Sequence, residues 1–458
     1  MARRVECHPE ERLLKCHPEE PRPKCHPEER QRRRIALPAR QVPLFAVALA
    51  LAACHTSGIA PSASATPDSL SIRRDIEVLA SPKFAGRLTG TPGNDSAAAY
   101  LARRYASFGL KPTSPSFIQK FVARPPAHSG QSVSLPSQNV VAMLPGRDAK
   151  LRNEYVVIGA HFDHLGTSTE GALDPDARGA VRLGADDNAS GSAAVVELAR
   201  IFSRNPARRS IIFANFSGEE EGLLGSSYFV DHMPVATDSV IAMLNFDMVG
   251  RMKNDRVIVY GVATATEFPS ILERANAASP LKVAAQGDGF GPSDHSSFYA
   301  KNIPVLHFFT DLHDDYHRAS DTPDKINAGG EARVVAFAER IARSIADAES
   351  RPTYVRVAAP APISSREGGD VYLGSIPDMA GSDVPGLRLT GIRAGSPAEL
   401  GGLKAGDIIV EFGGKPVKDL YQYSDALYSH KPGDEVTLVV LRGSERVTVK
   451  VKLGKRGG

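Results

Sequence analysis

Cysteine is missing from all but the first 54 residues of this 458-residue chain, where Cys7, Cys16, Cys25 and Cys54 are found. The remainder can carry neither a disulfide nor a thiolate metal site, so any metal there must be held by His, Asp or Glu. Net charge is also scarce. The formal value is +3, yet residues 1 to 53 alone hold eleven Lys/Arg against seven Glu, which leaves the rest close to neutral. That balance lacks the basic footprint of a nucleic-acid-binding surface, and no nucleic-acid partner is expected. The apolar run from Val42 to Ala53 is too short to span a bilayer comfortably. Neither H-E-x-x-H nor G-x-S-x-G occurs, which argues against a zincin and against a serine hydrolase with a nucleophile elbow.

What is present begins with a repeat. "CHPEERLLK", "CHPEEPRPK" and "CHPEERQRR" recur every nine residues, and this segment, 1–34, is expected to lie outside the mature protein. Residues 35–53 follow a basic stretch with an apolar run and small residues, the pattern of an export signal. Its end, "LAAC", resembles the lipobox of bacterial lipoproteins. The resemblance implies lipidation of Cys54, a membrane anchor and a place in the cell envelope, facing the periplasm or the surface. Residues 54–69, rich in Ser, Ala, Pro and Thr, suit a flexible tether.

From 70 to 350 the pattern is globular. "GNDSAAAYLARRYASFGLKP" predicts a helix with Asn94 or Asp95 as N-cap and Ala97, Leu101, Tyr105 and Phe108 on one face. "YVVIGA", "SIIFANF", "SVIAMLNF", "RVIVYG" and "IPVLHFF" are apolar strand candidates, interleaved with helical stretches such as "SAAVVELARIFS" and, later, "EARVVAFAERIARSIADAES". Near-continuous apolar strands alternating with helices predict a three-layer α/β/α sandwich around a mixed, mostly parallel sheet. Ligands in such sheets gather beyond the carboxyl ends of the strands.

Charge collects at those ends: His161 and Asp163 after the first strand, Asp186 and Asp187 in "GADDNASG", Glu219 to Glu221 in "SGEEEGLLG", Asp247, and His313 and His317 in "DLHDDYHRASDTPDKIN". Clustered carboxylates repel unless cations neutralise them. Zinc accepts mixed His and carboxylate ligands, and two zinc ions would balance three ligating carboxylates and a hydroxide.

Together, "AGRLTGTPGND", "GAHFDH", "GADDNASG", "SGEEEGLLGS", "NFDMVG" and "YHRASDTPDKIN" resemble the co-catalytic zinc aminopeptidases of metallopeptidase family 28 over about Leu70 to Asp347. The resemblance implies two zinc ions about 3.5 Å apart, held by His161, Asp186, Glu220, Asp247 and His317, with Asp186 bridging. It makes Glu219 the general base of a metal-assisted hydrolysis that removes N-terminal residues from peptides with a free N-terminus. Asp163 is expected to orient His161 through its carboxylate, and Asp187 to follow the bridging ligand across a cis peptide. Glu221 is expected to diverge from its neighbours into solvent. Asp294 and His295 in "SDHSSF" are given no ligand role, and none is given to His164 or His313. Alternatives on the same fold are a glutaminyl cyclase, a carboxypeptidase relative, or a non-catalytic peptide-binding or receptor-like protein.

Residues 351–366 have the composition of a linker. Beyond them, 367–458 contain short strands ("LRLTGI", "DIIVEF", "EVTLVVLR", "RVTVKVKL") and one helix near "LYQYSDALYSH". With "YLGSIPD" and "GIRAGSPAELGGLKAGDIIVEFGGKPV" they resemble the PDZ domains of bacterial exported proteases. The resemblance implies capture of peptide C-termini by strand addition, with Tyr372, Leu373, Gly374 and Ser375 forming the carboxylate loop. The other reading of this region is a packing module that contacts no peptide.

Overall fold

The computed structural model describes residues 66–124, 134–169, 171–174, 177–287, 289–357, 371–377, 384–392, 395–418 and 420–455. The repeat, the export signal and Cys54 lie outside these residues.

Nine strands form one sheet: β1 (Lys111–Pro112), β2 (Ile118–Ala123), β3 (Leu135–Leu144), β4 (Tyr155–His161), β5 (Ser210–Phe216), β6 (Val240–Phe246), β7 (Arg256–Tyr260), β8 (Lys282–Ala285) and β9 (Val305–Phe309). Their order is β1-β3-β5-β4-β6-β9-β7-β8, with β2 also paired to β3. The central run β5-β4-β6-β9 is parallel, whereas β1, β2 and β3 on one flank, and the β9/β7 pairing on the other, are antiparallel. Five of these strands sit where the apolar runs put them.

Burial on both faces explains the near-continuous apolar runs. Val156, Ile158, Ile211, Phe213, Leu244 and Phe246 point to one face; Val157, Ile212, Ala214, Met243 and Val305 point to the other. This is the period-two alternation of a strand. The first face is covered by α1 (Ser69–Leu79), α2 (Pro92–Ser107), α3 (Gly191–Arg204), α5 (Phe268–Ala277) and α7 (Ala328–Ala346), and the second by α4 (Leu224–Asp231) and α6 (His295–Tyr299). Three layers result. Each large apolar side chain so enclosed contributes roughly 1.5–3 kcal/mol.

The helix expected from Asn94 starts earlier. Thr91 is the N-cap, its Oγ1 accepting from the Asn94 amide, and Pro92 fills the first turn, where a missing N–H costs nothing. Asn94 is buried instead, its Nδ2 donating to the Ser217 Oγ (3.0 Å) and the Arg87 carbonyl (2.9 Å). Ala97, Leu101 and Tyr105 are buried as their spacing predicts.

The C-terminal strands enclose a second core of Leu389, Ile409, Phe412, Leu438, Val440 and neighbours, with α8 (Pro397–Leu400) and α9 (Leu420–Tyr428). Within the expected loop, Leu373 is itself a core residue. Gly374 has φ +86°, and a Cβ there would lie 2.2 Å from the Ser396 Cβ, so only glycine fits. The Ser375 Oγ is 2.7 Å from the Tyr423 hydroxyl on α9. Among the described residues no helix is long and apolar enough to cross a membrane.

Candidate metal centre and active site

The parallel strands deliver the site. β5 and β6 flank β4, so the chain passes from one side of β4 to the other, the reversal at which α/β sheets gather ligands. His161 ends β4, Asp247 follows β6, and Glu219 and Glu220 follow β5 through Gly218 (φ +81°).

These ends converge. The His161 Nε2 lies 3.5 Å from the Asp187 Oδ1 and 3.4 Å from the Asp247 Oδ1. The His317 Nε2 lies 3.1 Å from both the Asp187 Oδ2 and the Glu220 Oε2. Two sets of ligand-type atoms, His161 with Asp247 and His164 with Glu220, share one carboxylate, which belongs to Asp187, and His317 reaches the second set through its two contacts at 3.1 Å. The imidazoles of His161 and His317 are aimed from behind. The His161 Nδ1 is 3.2 Å from the Asp163 carbonyl, and the His317 Nδ1 is 2.9 Å from the Gly171 carbonyl. A carbonyl can only accept, so each Nδ1 donates and each Nε2 is the ring atom turned toward the cluster.

This arrangement corrects the placement of Asp186. Its Oδ1 accepts from the Gly250 amide (2.7 Å) and its Oδ2 faces the His313 Nε2 at 3.1 Å. With both oxygens engaged inside the protein and the side chain turned away, it stands outside the cluster. Successive side chains in the Ala185–Ser190 turn diverge, and the one that faces the other ligands is Asp187. The cis peptide correspondingly joins Asp187 to Asn188. The turn is pinned at both ends: the amides of Asp186 and Asp187 donate to the Asp321 Oδ2 (2.9 and 3.1 Å), and the Asn188 Nδ2 donates to the Phe246 carbonyl (2.9 Å). A Cβ on Gly191 would meet that same carbonyl at 2.3 Å, which explains the glycine in "NASG".

Asp163 also acts differently from expectation. Its carboxylate is 3.7 Å from the His161 Nδ1, too long for a hydrogen bond. It instead accepts from the amides of Glu219 (3.3 Å) and Glu220 (3.4 Å) and from the Thr89 hydroxyl (3.2 Å), so it orients the glutamate turn as well as, through its carbonyl, His161. Glu221 does not project into solvent. It is half-buried in this turn, and burial, followed by the charge of Asp163, pushes its carboxyl up to about 8.

Glu219 stands on the wall of a cavity that also exposes His161, Asp187, Asp247 and His317. Burial pushes Glu219 well above the ordinary carboxylate range, with Asp247, Glu220 and Asp294 adding repulsion and His161 opposing. Glu220 moves the other way, because His317 and His164 overcome its burial. The site fits cations: its atoms are those of hard or borderline ligands, and the Asp247 Oδ1 is buried without a hydrogen-bond donor.

Two residues without an assigned role prove to be part of the construction. The His164 Nδ1 lies 2.8 Å from the Glu220 Oε1 and donates to it; the second histidine of "HFDH" is the signal that pointed to it. Arg87, in "AGRLTG", is fully buried. It donates to the carbonyls of Leu79 (2.7 Å), Phe162 (2.6 Å), Leu183 (2.7 Å) and Gly184 (2.9 Å), tying the end of β4 to the loop that delivers Asp187. Burial lowers its guanidinium to about 10 against the pull of Asp163, Asp187, Asp321 and Glu220. Replacing Arg87 by Met strands four buried carbonyls. The urea midpoint of the transition reporting the larger core is expected to fall by the equivalent of about 3 kcal/mol or more; an unchanged midpoint would show that the clamp carries no stability.

The α/β/α sandwich thus places, at the carboxyl ends of its parallel strands, a His and carboxylate cluster that could hold metal ions. Comparison with known proteins narrows the reading. Residues 139–342 match the model of peptidase family M28, a zinc-dependent peptidase family, and residues 370–453 match that of the PDZ domain. Two separate segments of the chain thus resemble a family M28 peptidase and a PDZ domain. The chain is 29% identical over 289 residues to leupeptin-inactivating enzyme 1 of Streptomyces exfoliatus, a match covering 61% of this chain and 58% of that relative. Two solved structures from Bacteroides thetaiotaomicron, a leucine aminopeptidase precursor and a glutaminyl cyclase, each superpose with a TM-score of 0.51 at 18% identity. They cover 61% of this chain and 98% and 99% of their own. At that identity the likeness is one of fold, and the fold is common to both activities.

Proposed function

We propose that the protein is a zinc-dependent aminopeptidase whose two metal positions share Asp187, with His161 and Asp247 at one and Glu220 and His317 at the other, and whose general base is Glu219. The observation that carries this reading is the shared carboxylate between two His and carboxylate sets, with a buried glutamate on the wall of the same cavity. Bound zinc would supply Lewis acidity, activating water and polarising the scissile carbonyl. The Glu219 carboxylate takes a proton from the attacking water and returns it to the leaving amine. Asp163 holds the glutamate turn in register through two amides, and His164 fixes the Glu220 rotamer.

The test is a panel of aminoacyl chromogenic substrates assayed with zinc, with chelator and after zinc is restored. Activity should vanish with chelator and return with zinc. If the zinc-loaded protein hydrolyses none of the panel but cyclises an N-terminal glutaminyl peptide, the cyclase reading replaces this one.

The cellular setting is proposed from the sequence: an exported lipoprotein anchored through Cys54 and held at a membrane in the cell envelope. For the C-terminal region the proposal is capture of peptide C-termini at Tyr372 to Ser375, a role supported by the family of the segment.

A further inference from the structure

Beyond the cluster, the wall of the cavity combines apolar side chains with Ser293, His307 and two tyrosines. The cavity encloses about 170 Å³, and away from the cluster it is lined by Met248, Tyr260, Phe309, Leu312 and Tyr316 together with His307. A cavity of ~150 Å³ accepts a benzene ring, so this one suits a single large side chain. His307, on β9, is almost completely buried, and its ring stacks on that of His295 with centroids 4.3 Å apart.

The position of its proton follows from the Asn245 amide, whose nitrogen can only donate. The Asn245 Nδ2 donates to the Ser293 Oγ at 2.8 Å. The same Nδ2 lies 3.1 Å from the His307 Nδ1 and donates to it. With Nδ1 accepting, a neutral imidazole carries its proton on Nε2, the edge left for the cavity.

We propose that His307 is a specificity-determining residue, whose Nε2–H donates to an oxygen at the tip of a large, uncharged N-terminal side chain of the substrate, tyrosine being the side chain that also fills the pocket. The inference rests on the aminopeptidase reading and names the substrate class for it. An apolar side chain of the same size offers the Nε2–H no acceptor, whereas the matched oxygen does.

The experiment compares kcat/KM for tyrosyl and phenylalanyl p-nitroanilides on zinc-loaded wild type, His307→Phe and His307→Gln, with calorimetric binding of free L-tyrosine and L-phenylalanine alongside. Wild type should favour the tyrosyl substrate by about 5- to 10-fold, the worth of one such bond. The preference should disappear or invert in His307→Phe and survive in part in His307→Gln, which keeps an N–H donor. Equal or faster turnover of the phenylalanyl substrate by wild type, or an unchanged ratio in a folded His307→Phe, overturns the proposal. If no aminoacyl substrate is hydrolysed, the aminopeptidase reading fails and the binding arm decides the pocket by itself. Tighter binding of tyrosine to wild type, lost in His307→Phe, supports the role of His307, and equal binding of the two amino acids to wild type refutes it.

Discussion

Glu219→Gln is expected to retain its zinc and lose turnover by about 10²- to 10⁴-fold, the usual scale for a general base. Glu219 lies 3.9 Å from His161 and belongs to the wall of the cavity rather than to the two ligand sets. The substitution keeps the shape of the side chain while removing the carboxylate proposed as proton acceptor. Its neighbours provide the controls. Glu220→Gln removes a charge that faces both His164 and His317, so it should lower occupancy of one metal position. Glu221→Gln should stay within a few-fold of wild type, for a reason the sequence did not supply. Its carboxyl, raised to about 8 by burial and Asp163, is already neutral at neutral pH, and the amide reproduces its shape. Zinc stoichiometry and kcat measured on each purified variant decide the matter. A Glu219→Gln enzyme with wild-type turnover would remove that residue from the mechanism.

The second large effect separates two adjacent aspartates. Asp187→Asn should abolish zinc loading at both positions and cost at least as much turnover as Glu219→Gln, because among the described residues its carboxylate is the group common to both ligand sets. Asp186→Asn should keep its zinc. It weakens one acceptor of the Gly250 amide and the partnership with His313, which is a loss of support for the turn, on the order of 10- to 100-fold in activity or metal affinity for an outer partner of this kind. Metal content distinguishes the two without any assay of activity. If Asp186→Asn empties the site and Asp187→Asn does not, the geometry of the Ala185–Ser190 turn described above is wrong.

The apolar runs determined the core strands, because a strand buried on both faces must be apolar at every position, and that pattern is visible without a partner. The same reasoning missed β1 to β3 and β8. Of these, β1, β2 and β8 lie toward the edges and expose much of their length, whereas β3 is largely buried. An exposed stretch has little to distinguish it from a loop. The chemistry was also determined by residue type. Without cysteine, and with acids and histidines after four strand ends and in the turn before α3, the folded part could hold a cation only through oxygen and imidazole.

Which acid holds the cation was decided by the tertiary structure. Asp186 and Asp187 are chemically identical neighbours, and nothing in their order says which carboxylate turns toward His161. Amides donated to Asp321, a bond from Asn188 to the end of β6, and capture of Asp186 by Gly250 and His313 choose between them. These partners lie between 58 and 135 residues away in sequence. Arg87 is a similar case: its four acceptors are backbone carbonyls, groups that every residue possesses, so no residue type along the chain identifies them. Sequence sets the kind of ligand because that depends on side-chain chemistry alone. The fold sets the ligand's identity because orientation depends on hydrogen bonds that form only when distant segments meet.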